Sequence, residues 1–422
     1  MATAIVNSAT RGQARALAEV RSMLLGRTPH AVLLVGPGSV GKTTLALDLA
    51  AGLLCRDPDP SARPCRACRG CRLVATSNHP DLHRLAPEGP GLQVRIGAAT
   101  DPDPGTVRHL IGELALLPME GGARVAIIEG AHRLNDDAQN ALLKMLEEPP
   151  ARVTIVLCAD DEERLLLTVR SRCVRVRLGA VAIREIEQWL GELGFADAPR
   201  AARLARLAGG RPGLALAYAR SADAERLRGE ITRGLLDMLA EGRRARLAAV
   251  RDLVKSAAAL DSALEEGRRG GAPEAAAGEA GRATATRRRK DRASATLSSA
   301  AEEADGEGAT NDEPATPRMA ASDRRSAAAT LIEIWASVGR DLAVARSGGA
   351  RQLRETDLVD EIRAAAAALD VAGLTVFLAR LSDVAGQLDE NVNPELGLDV
   401  LALSWPRPAQ PESAATPAGA RR

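Results

Sequence analysis

The hydrophobic positions of this chain follow two different patterns, one in the N-terminal part and one in the C-terminal part. Between residues 8 and 178, short and almost continuously apolar runs alternate with amphipathic helical patterns. These runs are residues 31–35, 125–128, 153–158 and 173–176. Strands buried in a parallel sheet are apolar on both faces, and their alternation with helices is typical of a sheet that helices cover on both sides. The pattern therefore predicts an α/β domain over residues 1–179.

Beyond this domain the apolar positions recur only with a helical period. Trp189 and Leu193 share one helix face, which predicts a small helical lid over residues 180–221. The helical period continues over residues 222–264 and returns over residues 326–405. We therefore expect one all-α C-terminal domain that an insertion interrupts.

The insertion differs in composition from the rest of the chain. Residues 265–325 are rich in Gly, Ala, Ser, Glu and Arg and show no periodic apolar face. Such a segment does not bury enough apolar surface to offset its ordering entropy. We predict a disordered linker there and a disordered tail over residues 406–422. The basic run at residues 287–290 has two interpretations, a contact with DNA phosphates or, more commonly, a solvated run of charges.

Composition and charge limit the classes of function. The chain has 422 residues, of which 45% are hydrophobic, enough for two or three ordinary cores. Because it has 56 basic and 55 acidic residues, it lacks the global positive field of a DNA-coating protein. Three Trp, one Tyr and two Phe are too few for a base-stacking surface. Any contact with DNA must therefore be local.

The N-terminal segment and the lengths of the apolar runs predict the compartment. The first residues do not combine a basic start with the apolar segment of a signal peptide. No apolar stretch approaches the roughly 18 residues that a membrane span needs. We expect a cytoplasmic protein that makes no contact with a membrane.

A glycine-rich loop directly follows the first predicted strand. Its sequence, GPGSVGKT, matches the phosphate-binding pattern G-x-x-x-x-G-K-[ST] at every position, and a helical pattern comes next. The candidate nucleotide-binding residues are Gly36, Pro37, Gly38, Ser39, Val40, Gly41, Lys42, Thr43 and Thr44. In such a loop, backbone N–H groups face the phosphates, Lys42 reaches the β and γ phosphates, and the Thr43 hydroxyl binds Mg²⁺. The loop predicts the binding of ATP with Mg²⁺.

The end of the second predicted strand carries the candidate metal carboxylate, Glu129. Many ATPases place a second carboxylate next to it to activate the attacking water, but this chain has Gly130 there. Loss of a positioned base typically lowers a rate by about 10²–10⁴-fold. We predict that ATP is bound here and hydrolysed slowly or not at all. Asp136 and Asp137 are expected at a helix N-terminus, and His132 is expected to have a structural role.

Four cysteines form the second candidate site. Cys55, Cys65, Cys68 and Cys71 have the spacing C-x9-C-x2-C-x2-C, and four thiolates can close a tetrahedral Zn²⁺ site without an open position. The segment around them has almost no apolar residues, so a structural metal ion can replace a missing core. Disulfides are the weaker alternative in a reducing cytoplasm. Cys158 lies in an apolar run and is expected in the core.

Together these motifs resemble those of a known family, the bacterial clamp-loader subunits of the AAA+ class. The P-loop, the four-cysteine segment after its helix, NHPDL at residues 78–82 and NALLKMLEEPP at residues 140–150 carry the resemblance. It covers nearly the whole chain except the linker. The fold that it implies is an α/β AAA+ P-loop domain with a zinc module, followed by a helical lid and an all-α C-terminal collar domain.

The same resemblance gives a role to Arg172. The SRC sequence at residues 171–173 matches the family motif whose arginine reaches across a subunit boundary to the γ-phosphate of a neighbour's ATP. Arg172 is thus the expected arginine finger acting in trans, where a guanidinium offsets charge on the transferring phosphoryl group. Asp160 and Arg211 are open candidates for the sensor residues of the family.

Two branches of the family, delta-prime and gamma/tau, share these motifs. Residues 388–403 resemble the last collar helix of delta-prime subunits, and Glu129 with Gly130 departs from the Asp-Glu pair usual in gamma/tau. We expect a delta-prime subunit that joins gamma/tau and delta subunits in a hetero-oligomeric ring and helps to load a sliding clamp onto primer-template DNA. The alternatives are a gamma/tau-type ATPase, a scaffold that binds no nucleotide, and an ATPase that assembles and acts alone.

Overall fold

The computed structural model describes residues 5, 7–87, 94–100, 102–120, 122–269, 320–389 and 392–407. The basic run at residues 287–290, most of the predicted linker and the tail from residue 408 lie outside them. The strands are β1 (Ala31–Val35), β2 (Leu82–Leu85), β3 (Arg124–Ile128), β4 (Val153–Ala159) and β5 (Val174–Arg177). The α-helices are α1 (Ala14–Leu25), α2 (Lys42–Leu53), α3 (Arg69–Ala75), α4 (Val107–Leu114), α5 (Asp136–Glu147), α6 (Leu167–Arg170), α7 (Ile183–Glu192), α8 (Ala198–Leu207), α9 (Pro212–Arg220), α10 (Ala222–Asp237), α11 (Arg243–Arg269), α12 (Ala321–Arg346), α13 (Val359–Ala367), α14 (Val371–Asp389) and α15 (Pro394–Ser404).

The five strands form one parallel sheet in the order β2-β3-β4-β1-β5. Four of them lie where the continuous apolar runs predict strands, so the α/β domain with a parallel sheet is confirmed. The sequence does not predict β2, because LHRL has only its two terminal leucines as apolar residues. As an edge strand, β2 leaves Arg84 exposed and shows no buried run.

The two faces of the sheet pack against separate sets of helices. Leu33 and Leu34 in β1 point to opposite faces, because successive side chains of a strand alternate. Leu34 packs in a core that includes Leu45 of α2, whereas Leu33 packs in a core that includes Leu142 of α5. Cys158 is buried in the first of these cores, as expected from its apolar run. The sheet is thus held between two helical layers, and the loops at its carboxyl edge remain accessible.

The rest of the described chain is helical and shares one core. Helices α7 to α9 lie where a lid is predicted, and α10 to α15 form the C-terminal helices. The buried side chains run continuously from Val181, before α7, to Trp405, after α15. Trp335, Phe377 and Trp405 form an aromatic cluster with ring centroids between 4.6 and 5.6 Å apart. The helices of the predicted lid therefore pack as part of a larger helical body.

The helices on both sides of the predicted linker are longer than expected. Residues 265–269 end α11 and residues 321–325 begin α12, so these ten residues are helical and the prediction of disorder is wrong there. The two helices pack against each other, and the Asp261 carboxylate accepts hydrogen bonds from Ser326 at 2.8 Å and Thr330 at 2.5 Å. Most helical stability comes from such packing and not from local propensity. The packing of α11 against α12 explains why both helices extend beyond the residues with a periodic apolar face.

One described helix is long and apolar enough to cross a membrane, over Val371–Leu388 of α14. This contradicts the expectation that no stretch approaches the necessary length. The charged Arg380 and Asp383 and several small residues interrupt the apolar positions there, and the mean hydropathy of the window is still 1.2. Leu374, Phe377 and Leu381 are buried among the C-terminal helices, whereas Val376 on another side is exposed, and 28% of the window is buried.

Candidate nucleotide-binding site

The P-loop connects the carboxyl end of β1 to α2. Ser39 and Gly41 have left-handed φ values of 62° and 106°, which turn the backbone tightly before the helix. A Cβ atom on Gly36 would lie 2.2 Å from the Leu178 backbone oxygen, so only glycine fits where the loop passes the end of β5. The loop therefore has the close backbone packing of a phosphate-binding turn. Thr44 is half-buried in the first turn of α2.

Lys42 is buried within this loop and has three oxygen partners. Its Nζ donates to the backbone oxygens of Gly36 at 2.6 Å and Pro37 at 2.7 Å. The same atom lies 2.7 Å from Oδ1 of Asp160, which directly follows β4. The structure thus brings Asp160, whose role the sequence leaves open, to the lysine of the P-loop. Phosphate oxygens that approach Lys42 would compete with this carboxylate.

Thr43 and Glu129 lie together beside the loop. The Thr43 hydroxyl donates to Oε2 of Glu129 at 3.2 Å, which pairs the two predicted magnesium ligands. Arg84 of β2 donates from Nε to Oε1 of Glu129 at 3.1 Å and from Nη1 to the Ser77 hydroxyl at 2.7 Å. The sequence gives no signal for Arg84, because the strand that carries it is not predicted. A guanidinium beside Glu129 offsets part of the carboxylate charge that attracts a cation.

Gly130 occupies a position where a carboxylate does not fit without rearrangement. Its φ is 59°, in the left-handed region. A Cβ atom at this position would lie 2.7 Å from Cγ of Pro87. Both the backbone conformation and the neighbouring ring therefore favour glycine directly after Glu129.

His132 lies close to the same site but contacts its backbone. The Nδ1 atom of His132 accepts a hydrogen bond from the Asp160 N–H at 3.1 Å. Burial lowers the pKa of His132, although the Asp160 carboxylate opposes this effect. A neutral imidazole with Nδ1 as acceptor fixes the start of the loop after β4 and so orients Asp160 towards Lys42. Asp136 and Asp137 lie in the first turn of α5, away from this contact.

Arg211 does not point to the P-loop. Its Nε donates to the Ala208 backbone oxygen at 3.1 Å, and its guanidinium forms an ion pair with Glu333 of α12. The contact between this part of the chain and the P-loop is instead a backbone one, from Gly213 N–H to the Ser39 oxygen at 3.0 Å. The structure thus brings Asp160 to the loop and keeps Arg211 on the helical side.

Arg172 lies at the opposite edge of the sheet from the P-loop of the same chain. β1 and β5 are parallel neighbours with Val32 beside Val174. The P-loop follows the carboxyl end of β1, whereas Arg172 precedes the amino end of β5. Arg172 therefore cannot reach its own P-loop while both strands keep this register.

The guanidinium of Arg172 is partly exposed and has partners within its own chain. Its Nη1 donates to the Thr168 backbone oxygen at 2.9 Å, and its Nη2 lies 2.5 Å from Oε1 of Glu147 at the end of α5. The side chain is 34% exposed, and that of Glu147 is 48% exposed. A group approaching this edge from outside would find the guanidinium accessible.

The four predicted cysteines converge. The sulfur atoms of Cys55, Cys65, Cys68 and Cys71 all lie within 4.8 Å of one another. Cys55 Sγ lies 3.5 Å from Cys65 Sγ and 3.9 Å from Cys68 Sγ. Four sulfurs about 2.3 Å from a central Zn²⁺ would be about 3.8 Å apart, so the cluster is compatible with zinc. Burial opposes ionisation of Cys68, but backbone N–H groups donate to its sulfur and the pKa is lowered to about 6.

Ion pairs attach the cysteine segment to the α/β domain at two points. Arg66 pairs with Asp48, a buried residue of α2, and also donates from Nε to the Asn7 backbone oxygen at 3.0 Å. Arg56 and Arg69 both pair with Glu120, before β3. The segment is thus anchored on the helix that follows the P-loop.

The sequence of this chain is similar to those of known DNA polymerase III subunits. A family model described as "DNA polymerase III, delta subunit" matches residues 12–182. A DNA polymerase III subunit delta' from Pseudomonas aeruginosa is 37% identical over 195 residues, which cover 45% of this chain and 56% of that protein. The subunit delta' of Escherichia coli is 38% identical over 199 residues, covering 47% and 57%. The subunit tau of Salmonella typhimurium is 36% identical over 184 residues, covering 43% and 27%.

The matched region contains the P-loop, the cysteine cluster, Glu129 and Arg172, and it ends just after β5. The chain spans somewhat more than half the length of the delta' relatives that it matches. The expected resemblance to delta-prime subunits is confirmed over this region: residues 12–182 match the family model, and the delta' relatives are 37% and 38% identical to the chain.

Proposed function

We propose that this protein is a clamp-loader subunit of the AAA+ class that binds ATP and supplies Arg172 to the nucleotide site of a neighbouring subunit. The observation that carries the proposal is the position of Arg172, at the sheet edge opposite its own P-loop and with a partly exposed guanidinium. A residue placed there would be accessible to a site on another chain. In phosphoryl transfer, such an arginine raises the rate by about 10³–10⁵-fold.

The intact P-loop supports the binding of ATP. On binding, Lys42 would exchange the Asp160 carboxylate for β and γ phosphate oxygens, which are stronger partners for a buried ammonium. Thr43 and Glu129, already 3.2 Å apart, would hold Mg²⁺ through oxygen atoms. Hydrolysis at this site is weak or absent, because Gly130 replaces a base and Arg84 engages Glu129.

The cysteine cluster is proposed to hold a structural Zn²⁺. Cys55, Cys65, Cys68 and Cys71 would occupy all four positions around the ion and leave none for a substrate. The ion would fold a segment that has no core of its own and fix it on α2 through Arg66 and the buried Asp48.

The proposed partners are gamma/tau and delta subunits in a hetero-oligomeric ring, a sliding clamp, and primer-template DNA. The similarity to subunits named delta' and tau supports membership of such an assembly. The proposed role is to help open and place the clamp during DNA replication in the cytoplasm. Within that ring, Arg172 would complete the ATP site of an adjacent gamma/tau subunit.

The decisive experiment replaces Arg172 with Ala in the reconstituted ring and measures DNA-stimulated ATP hydrolysis. We expect turnover at the adjacent site to fall by about 10³-fold or more. Arg177→Ala is the matched control, since Arg177 is an exposed arginine of β5 that pairs with Glu162. Unchanged turnover in Arg172→Ala would refute the role in trans.

A second candidate is a scaffold that binds no nucleotide. The contacts of Lys42 favour it to some degree, because all three of its partners are oxygen atoms of the same chain. Titration of the purified protein with ATP separates the two functions. Binding that disappears in Lys42→Ala supports the ATP-binding subunit, and absence of binding in the unmodified chain supports the scaffold.

A further inference from the structure

A cavity of about 310 Å³ lies between the end of α8 and the segment that follows α12. Arg206, Arg340, Arg351 and Arg354 contribute to its lining, and we call it the arginine cavity. These residues belong neither to the P-loop nor to the cysteine cluster, and Arg172 is not among them. The volume is at the lower end of the range for small-ligand sites.

The arginine cavity has an excess of positive charge. Among the residues that the structure describes, the guanidiniums of Arg206, Arg351 and Arg354 have no ion-pair or hydrogen-bond partner. Arg340 donates to Oδ1 of Asp341 at 3.0 Å. The other oxygen of Asp341 already accepts two backbone hydrogen bonds, at 2.8 and 3.0 Å. The carboxylate that pairs with Arg340 is therefore fully engaged, and the described lining of the cavity has four arginines and no acidic residue.

Arg354 is the most constrained of the four. It is half-buried, and its guanidinium lies against Gly209, where an added Cβ atom would be 3.1 Å from Cζ of Arg354. Burial lowers the pKa of Arg354, and the positive charge of Arg340 adds to this effect. A half-buried cation beside other cations is unfavourable until an anion joins them.

We propose that the arginine cavity binds a phosphate-bearing anion, with Arg354 and Arg340 as its inner ligands and Arg206 and Arg351 at its mouth. Guanidiniums form bidentate, charge-assisted hydrogen bonds with phosphate oxygens, and several around one cavity favour a polyanion over a single carboxylate. The source of the phosphate is either a free small anion such as pyrophosphate or the backbone of a nucleic acid. This inference does not depend on the role of Arg172.

The position of the arginine cavity gives such an anion a structural effect. One wall comes from Val181 and Gly210, whose backbones are joined by a hydrogen bond of 2.8 Å, and another comes from the segment after α12. Gly213, three residues after Gly210, donates to the P-loop at Ser39. A bound anion would therefore tie together the two walls next to the backbone that contacts the P-loop.

The test uses the full chain with Lys42→Ala, so that phosphate binding at the P-loop does not contribute. Pyrophosphate and a short DNA duplex are titrated separately by calorimetry. We expect at least one of them to bind, and Arg354→Gln to weaken that binding about tenfold or more, because one charge-assisted hydrogen bond to the anion is lost. Arg363→Gln, which changes an exposed arginine next to Asp360 on α13, should leave the affinity unchanged.

Arg206→Gln is a second variant that should leave the fold intact, since Arg206 is exposed, and it should also weaken binding. Dependence on these arginines for pyrophosphate alone identifies a small-anion site, and dependence for the duplex identifies a backbone-phosphate site. Either result supports the proposal. Absence of binding for both probes, or affinities that neither variant alters, would overturn it while leaving the proposed function untouched.

Discussion

The two edges of the sheet hold their cationic side chains in opposite ways. At the carboxyl edge, Lys42 is 7% exposed and contacts three oxygen atoms of its own chain. At the amino edge, Arg172 and Glu147 are both partly exposed and form a pair close to solvent. A pair of this kind contributes about 0–1 kcal/mol, whereas removal of the partners of a buried charge costs several kcal/mol. The lysine is therefore held firmly, and the arginine can leave its partner easily.

This difference separates a group that serves its own chain from one that serves a neighbour. A phosphate site needs donors that are already in place before the ligand arrives, since reorganisation lowers affinity. A residue that acts across a subunit boundary must instead stay accessible until the boundary forms. Substitutions at the two edges should therefore have effects of different size.

Apart from Arg172→Ala, the largest effect is expected for Lys42 at the carboxyl edge, on ATP affinity. Lys42→Ala should weaken ATP binding about a hundredfold, because charge-assisted bonds to phosphate are lost. Calorimetric titration with ATP and Mg²⁺ measures this. Lys144→Ala, at an exposed lysine of α5, serves as the control and should bind normally. Equal affinities for the two variants would show that the firmly held lysine is not a phosphate ligand.

Gly130→Asp should destabilise the protein by about 1–3 kcal/mol without creating an active ATPase. The aspartate must adopt a left-handed φ and displace Pro87, so its carboxylate will not take the position of a base. Thermal unfolding and steady-state hydrolysis are the two measurements. Gly122→Asp is the control, since a Cβ atom there meets nothing within 4 Å. A rise in turnover would contradict this account of the missing base.

Asp160→Asn should strengthen ATP binding by about two- to fivefold. The substitution keeps the shape of the side chain but removes the negative charge that competes with phosphate for Lys42, and the effect is small because the Asp160 carboxylate is 45% exposed and partly screened by solvent. The adjacent Asp161→Asn, at an exposed carboxylate that does not pair with Lys42, should not change the affinity. Weaker binding in Asp160→Asn would mean that Asp160 assists the nucleotide.

The smallest effect is expected at the amino edge. Glu147→Gln should change the unfolding free energy by less than about 1 kcal/mol and the DNA-stimulated turnover of the ring by no more than about twofold. Glu148→Gln at the neighbouring exposed position is the control. A loss as large as that expected for Arg172→Ala would show that Glu147 positions the guanidinium, and the contrast between the two edges would disappear.

The parts of the fold that the sequence predicts are those with a local physical signal. Four strands could be predicted because burial on both faces requires continuous apolar runs, and the P-loop because close backbone contacts restrict its residue types. The cysteine cluster could be predicted because its four cysteines are near one another in sequence. Each signal lies within one short segment.

The remaining features depend on contacts between distant segments. β2 has too few apolar residues to predict, and with it the contact between Arg84 and Glu129 is missed. The pair of Lys42 with Asp160 joins two strands that are neighbours only in the folded sheet. The C-terminal end of α11 and the N-terminal end of α12 are stabilised by the packing of one helix on the other. The sequence of either segment alone does not indicate this packing.

The continuous core from Val181 to Trp405 has a mechanical consequence. Interiors packed at this density resist small independent displacements of their parts. If a nucleotide pulled on the Ser39 to Gly213 hydrogen bond, the helices α7 to α9 could not swing alone. The displacement would instead rotate the whole helical body that shares this core as one unit.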